Sequence, residues 1–185
     1  MAPGQRIQRV AVIGNAAGGK STLARALAAA KALPYHEIDR HIVIDIAAWP
    51  PGEHAAFLAR HAAILAGPRW VVDGLGPLLT LDGLFGRADA IVHIDLPVEQ
   101  HVARAIERFE AQRAGRIAAD APGANAPDNF DQLFRNLWGH HESVRPRLVR
   151  ALAALEGAKP VFNLRSQAEI DAFRTAHCGG DAPKR

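Results

Sequence analysis

The chain has 185 residues, 49% of them hydrophobic, with a single cysteine and a formal net charge of +3. This length supports one compact core, and no apolar run approaches the roughly 20 residues of a membrane span. The N-terminal residues have no apolar signal segment, and Cys178 has no partner for an internal disulfide. These features exclude a membrane protein and predict a cytoplasmic protein, either a monomer or a homodimer.

Apolar runs alternate with amphipathic segments along the whole chain. Predicted strands cover 7–13, 35–38, 70–73, 90–95 and 160–164, and predicted helices cover 20–31, 53–66, 98–113, 130–156 and 166–177. Regular alternation of this kind predicts a three-layer α/β/α sandwich around a five-stranded parallel sheet. We expect residues 1–178 to form one domain.

Three places are expected to interrupt or end the regular elements: a loop, a break within a helix and the C-terminal tail. Residues 114–128 collect Gly, Ala, Pro, Asn and Asp without an apolar period, which predicts a mobile loop that could act as a lid. Pro146 is expected to kink or split the helix that contains it, and residues 179–185 are expected to be a disordered tail. Ser166 with Glu169 forms a capping-box pattern at the start of the last helix.

The first predicted strand is followed by a glycine-rich octapeptide of the form G-x-x-x-x-G-K-[ST]. It reads Gly14, Asn15, Ala16, Ala17, Gly18, Gly19, Lys20 and Ser21, with Thr22 next. Strand, glycine loop and helix in this order predict a P-loop that binds the phosphates of ATP. Lys20 would contact the β- and γ-phosphates, and Ser21 would supply a hydroxyl to Mg²⁺. A Gly/Ala-rich turn before an ordinary helix is the alternative, although one of only four lysines falls at the motif position.

Two aspartates compete for a role in holding magnesium. Asp73 ends the apolar strand 70–73 and precedes Gly74, so its carboxylate is expected to emerge beside the P-loop and to orient a magnesium-bound water. A turn-forming Asp-Gly pair is the alternative. Asp95 follows another strand, but Leu96-Pro97 behind it is typical of a strand exit, so we prefer Asp73.

The acceptor side is predicted at the end of the second strand. Asp39 could hold an acceptor hydroxyl there and Arg40 an acceptor phosphate, or both could be ordinary loop charges. Arg104 and Arg108 lie four residues apart on one helix and could close over phosphates, with a solvated charged face as the alternative.

The remaining charges do not indicate a nucleic-acid protein. The arginines are spread along the chain, which favours phosphate clamping over a basic patch, although a moderate positive field leaves weak nucleic-acid binding open. The nine histidines are scattered, and we expect them to be solvated and not to form a metal cluster.

Six stretches together resemble the nucleoside monophosphate kinase group of P-loop kinases, to which adenylate kinase belongs, and within it the bacterial DNA topology modulation, or FlaR-related, proteins. They read VAVIGNAAGGKSTLARAL, HEID at 36–39, GPRWVVDG at 67–74, ADAIVHIDLP at 88–97, NFDQLFRNLWGHHESVRPRL at 129–148 and KPVFNLRSQAEIDAF at 159–173. The resemblance implies that Arg104 stacks on adenine, that Arg108 clamps phosphate, and that the segment from Asn163 through Arg165 to Ser166 lines the base.

This chain also departs from adenylate kinase. Asp39-Arg40-His41 replaces the AMP-binding T-G-D-x-x-R pattern, and a carboxylate at position 39 resembles shikimate- and gluconate-kinase-like enzymes, whose acceptor is a hydroxyl. The sequence therefore predicts an ATP- and Mg²⁺-dependent phosphotransferase acting on a small molecule, with Lys20, Asp39, Arg104 and Arg108 in the reaction. The alternative is an ATP-binding regulator that affects DNA topology without turning over a metabolite.

Overall fold

A computed structural model of the chain describes residues 7–38, 52–117 and 130–179. The strands are β1 (Arg9–Gly14), β2 (Tyr35–Glu37), β3 (Trp70–Asp73), β4 (Ala90–Ile94) and β5 (Val161–Leu164). The helices are α1 (Lys20–Lys31), α2 (Glu53–Ala66), α3 (Leu81–Arg87, after a 3₁₀ turn at Leu78–Thr80), α4 (Val98–Arg113), α5 (Phe130–Gly139), α6 (Arg145–Ala153) and α7 (Gln167–Cys178). The predicted alternation of strands and helices is confirmed.

The five strands form one parallel sheet in the order β2-β3-β1-β4-β5. Because β1 lies between β3 and β4, the chain leaves the sheet in opposite directions on the two sides of β1. This is the switch point at which open α/β sheets bind ligands, beyond the carboxyl ends of their strands. The loop after β1 therefore begins at the place where a site is expected.

Alternate residues of each strand face opposite sides of the sheet, and both sides are covered. On the side that we call the α1 face, strand residues such as Val12 and Val92 pack with Leu27 of α1 and Phe173 of α7. On the other side, which we call the α6 face, Trp70 and Ile91 belong to a cluster with residues of α3 and α6. Burial on both faces explains the nearly continuous apolar runs of the strands and confirms the three-layer sandwich.

The predicted helix over 130–156 is split close to Pro146, as expected. A π-helical turn, His140–Val144, separates α5 from α6. Pro146 lies in the first turn of α6, directly after this π-helical turn, at a position where a proline is tolerated. Single π-helical turns inside helices are frequent at functional sites.

Other predictions lie partly outside the described residues. Asp39, Arg40, most of the predicted loop and residues 180–185 are not described, and residues 114–117 form a turn after α4. Ser166 accepts a hydrogen bond from the Glu169 backbone, as predicted, but the Glu169 carboxylate accepts from the Arg165 backbone and not from Ser166. Among the described helices, none is long and apolar enough to cross a membrane.

Candidate functional site

The loop from Gly14 to Ser21 joins β1 to α1 in a conformation that depends on its glycines. Gly14 has φ of 138°, and a Cβ there would collide with the carbonyl oxygen of Ile94. Gly19 has φ of 92° and is exposed, with open space where a Cβ would lie. Ala17 also has a positive φ, of 56°, which is unfavourable for a residue with a side chain. The backbone thus has a positive φ at three positions of the loop, and the space beside Gly19 is open to solvent.

Side chains from two helices hold the carbonyl groups of this loop. The Lys20 ammonium donates to the Asn15 carbonyl at 3.0 Å, and Arg104 donates to the Gly18 carbonyl at 3.2 Å. Between them, Nδ1 of the buried His101 lies 2.7 Å from the Ala16 carbonyl oxygen, so this ring nitrogen carries the proton. The orientations of three carbonyl groups of the loop are therefore fixed by hydrogen bonds from these side chains.

Helix α5 supports the loop from the side. The Asn15 amide is buried, donates to the Leu137 carbonyl at 2.9 Å and accepts from the Ala16 backbone at 2.8 Å. Ala17 packs against the small cluster formed by Ala105, Leu133 and Leu137. The loop is consequently anchored by both α4 and α5 before any ligand binds.

The start of α1 fits a phosphate group. Its N-cap residue is Gly19, which has no side chain to accept from the first-turn N–H groups, and that turn contains no acidic residue. The positive end of the helix dipole and the Lys20 ammonium lie together here, an arrangement that favours an anion. Ser21, in the same turn, adds an oxygen donor of the type that Mg²⁺ prefers.

Two carboxylates lie at the carboxyl ends of β2 and β3. Glu37 and Asp73 are register partners, and Asp73 also pairs with Val12 of β1, two residues before Gly14. Asp73 is only 2% exposed and accepts a hydrogen bond from the Tyr35 hydroxyl at 2.7 Å. Together with Ser21 they make a set of hard oxygen donors at one edge of the sheet, which suits magnesium.

Asp95 is engaged elsewhere. Its side chain is 4% exposed and accepts two hydrogen bonds from Arg145, at 2.6 and 2.9 Å, while Nε of Arg165 lies 3.9 Å away. The paired Asp95 raises the pKa of Arg145. This bidentate pair ties the end of β4 to α6, which supports the preference for Asp73 in the metal role.

The predicted arginines of α4 occupy different places. Arg104 bridges two elements, since it contacts Gly18 and also donates to the Gln167 side chain at 2.7 Å at the start of α7. Burial lowers the pKa of Arg108, and the charge of Glu37 opposes that effect. Arg104 thus belongs to the side of β5, whereas Arg108 lies on the side of β2, where we predicted the acceptor.

The two predicted base-lining residues lie beyond β4 and β5. Oδ1 of Asn163 is 3.1 Å from Nδ1 of the buried His93, and Arg165 is exposed near Asp95. Asn163 is therefore directed toward the α6 face by its neighbour His93. The Arg165 side chain remains 68% exposed and accessible to a ligand.

The expectation that the histidines are solvated is wrong for several of them. His61, His93 and His101 are buried, and burial lowers the pKa of each. Burial also lowers the pKa of His140 to about 3, with the nearby Lys20 charge as a further cause. A cleft beside the loop is lined by Asn15, His93, Asp95, His101, His140, His141 and Arg145. Within the described ranges, no three or more His, Cys, Asp or Glu side chains are grouped to hold a metal ion, so the histidines of this cleft do not form a metal cluster.

The structure thus brings the predicted loop, Asp73 and Arg104 together at one edge of the sheet. Sequence reasoning missed Tyr35, Glu37, His101 and the pairing of Asp95 with Arg145. Glu37 could have been found, since it ends a predicted strand on the same edge as Asp73. No local pattern distinguishes His101 from an ordinary solvated helix residue.

The strand order and the glycine loop between β1 and α1 define the P-loop nucleoside triphosphate hydrolase fold, of the kind found in P-loop kinases. Similar solved structures include a shikimate kinase from Bacteroides thetaiotaomicron, with 17% identity, a TM-score of 0.53, and 92% of this chain and 96% of that chain covered. A gluconokinase from Sinorhizobium meliloti 1021 has 19% identity and a TM-score of 0.52, with 92% of this chain and 91% of that chain covered. A shikimate kinase from Acinetobacter baumannii in complex with shikimate has 17% identity and a TM-score of 0.51, with 93% of this chain and 91% of that chain covered. Neither a scan of known protein families nor a search of curated proteins finds a match.

Proposed function

We propose that this protein is an ATP- and Mg²⁺-dependent phosphotransferase that acts on a small-molecule acceptor. The observation that carries the proposal is the anchored phosphate loop, with Lys20 inside it and the Asp73 carboxylate beside it on the adjoining strand. A turn without a ligand would not need three of its carbonyls held by side chains, one by Lys20 and two by His101 and Arg104 of the distant helix α4. The fold supports the same reading, since the similar solved structures carry the names of small-molecule kinases.

Each residue at the loop has a definite task in this proposal. When bound, Mg²⁺ would supply positive charge that neutralises the negative charge developing during transfer. Ser21 and Asp73 would hold the ion and its water shell, and Lys20 would bind the β- and γ-phosphates. Arg104, held between Gly18 and Gln167, covers the nucleotide at the β5 side. Arg165, with its exposed guanidinium, is assigned to the base side together with the neighbouring Asn163.

We place the acceptor at the end of β2, opposite the phosphate loop. Glu37 ends this strand, Asp39 follows two residues later outside the described residues, and Arg108 comes close to Glu37 from α4. Carboxylates can accept from a substrate hydroxyl, and an arginine can stabilise the charge of the transferring phosphoryl group. The acceptor class we favour is a hydroxylated small molecule, a nucleoside or a nucleotide.

The test is ADP production from Mg-ATP against a panel of nucleoside monophosphates, nucleosides, shikimate and gluconate. Lys20→Ala provides the blank, and Lys31→Ala provides a matched control at the far end of the same helix. We expect acceptor-dependent ADP formation in the wild type and in Lys31→Ala, and none in Lys20→Ala. Equal turnover in Lys20→Ala would contradict the proposal.

An ATP-binding regulator of DNA topology remains the second hypothesis from the sequence. It would bind Mg-ATP without acceptor-stimulated turnover, and its DNA affinity would fall steeply with salt, because phosphate contacts release counterions. A DNA-binding measurement at two salt concentrations, run on the same preparation, separates this hypothesis from the kinase. The use of ATP in either role, together with the single cysteine, supports a cytoplasmic location.

A further inference from the structure

Tyr35 lies directly beside the carboxylate that we assign to magnesium. Its hydroxyl donates to Oδ2 of Asp73 at 2.7 Å. In the register of β2 against β3, Tyr35 is opposite Val71, two residues before Asp73, so all three side chains stand on the α1 face. The phenol leans along the strand direction to reach the carboxylate.

The geometry assigns donor and acceptor in this hydrogen bond, since the phenol O–H donates and the carboxylate oxygen accepts. Burial, together with the hydrogen bond and charge of Asp73, raises the pKa of Tyr35, in agreement with this direction. Asp73 accepts this hydrogen bond through Oδ2, and its other carboxylate oxygen, Oδ1, is not bonded to the phenol.

Helix α1 fixes the tyrosine ring. The Arg25 guanidinium lies over the ring, 4.3 Å from its centroid, and donates to Glu37 at 3.2 Å. Arg25 is five residues beyond Lys20 on the same helix. The ring is therefore held between α1 and β3, and the position of the phenol is tied to the helix that begins at the phosphate loop.

We propose that Tyr35 is a positioning residue for the magnesium site, because its hydroxyl sets the rotation of the Asp73 carboxylate and leaves Oδ1 for a magnesium-bound water. The terminal torsion of an aspartate is broad and two-fold, so a carboxylate without this donor would sample other orientations. The inference rests on the proposed function for the identity of the bound ion. It adds a residue outside the P-loop motif to the metal chemistry.

Tyr35→Phe tests the inference, because it removes one hydroxyl and keeps the ring under Arg25. We expect kcat to fall about tenfold and the half-saturating Mg²⁺ concentration to rise several-fold, as for the loss of a hydrogen bond to a charged group. KM for ATP at saturating Mg²⁺ should stay nearly constant. In an Asp73→Asn background the same change should have little further effect, since the two residues act as one unit. Wild-type kcat and wild-type Mg²⁺ dependence in Tyr35→Phe would overturn the inference.

A spectroscopic measurement separates this inference from the proposed function. Tyr35 is the only tyrosine, so a protein labelled with [¹³Cζ]tyrosine gives one NMR signal. We expect Asp73→Asn to shift this signal, and Mg²⁺ with ADP to shift it in the wild type, whereas ADP with EDTA should not. A chemical shift that is unchanged both by Asp73→Asn and by Mg²⁺ with ADP would overturn the role of Tyr35, even in an active kinase. A Mg²⁺-dependent shift without turnover on any acceptor would support the positioning role while contradicting phosphoryl transfer.

Discussion

Replacing His140 by Phe should make the protein less sensitive to acid. The two ring nitrogens of His140 are shielded from solvent and have no hydrogen-bond partner among the described residues, although the residue as a whole is partly exposed. Burial lowers its pKa from 6.5 to about 3. The folded protein therefore holds a neutral ring, whereas the unfolded chain binds a proton below about pH 6.5.

The sign and size of the effect follow from proton linkage. A depressed pKa in the folded state gives stability that is complete above the unfolded pKa and is lost as the pH falls toward the folded pKa. Between pH 7.5 and pH 5, His140 should remove about 2 kcal/mol from the free energy of unfolding, since 1.5 pH units correspond to about 1.36 kcal/mol each. The loss should continue toward pH 3.

Urea unfolding of wild type and His140→Phe at pH 7.5 and pH 5, followed by circular dichroism, measures this difference. Wild type should lose about 2 kcal/mol more than the variant between the two pH values, because only wild type carries this titrating group. His140→Leu removes the same titrating group with a different shape and should give the same result. Equal acid losses in wild type and both variants would refute a buried, neutral His140.

Three further substitutions test the geometry of the site and the core. Gly18→Ala places a Cβ 2.8 Å from Cε1 of His101 and should lower the free energy of unfolding by about 1–3 kcal/mol and weaken ADP binding, with less than additive losses when combined with His101→Ala. Arg145→Leu leaves Asp95 without its bidentate partner and should cost about 2 kcal/mol in urea unfolding at neutral pH, whereas an unchanged midpoint would show that the pair contributes nothing. Leu148→Ala truncates a side chain with no exposed surface on the α6 face and should cost about 2–5 kcal/mol, a loss that should leave the affinity for ADP unchanged.

The sheet and the phosphate loop could be predicted because their determinants are local in the sequence. Strands buried on both faces need nearly continuous apolar runs, and β3 and β4 have them, with His93 as the one polar residue within β4. Asp73 was found for the same reason, since it is the first charged residue at the end of such a run. The register between strands was not needed for either prediction.

The residues that sequence reasoning missed depend on contacts between distant segments. In the sequence, Tyr35 resembles any aromatic residue of a strand. Its contact with Asp73 depends on the register of β2 against β3, which the sequence does not show. His101 contacts a loop that lies 85 positions earlier, and its ring occupies the space left by Gly18, so neither residue alone indicates the contact. The π-helical turn was missed because Pro146 marks a helix boundary in the sequence, whereas hydrogen bonding of the π type has no such marker.

One stripe of α4 connects the two halves of the site. His101, Arg104 and Arg108 are spaced three and four residues apart, so they share a helix face. The first two hold carbonyl groups of the phosphate loop, and the third lies near Glu37, where we place the acceptor. A shift of α4 would therefore change the support of the phosphate loop and the charge beside the acceptor together. Because a helix of 16 residues moves largely as a unit, binding at the phosphate loop should also alter the environment of Arg108.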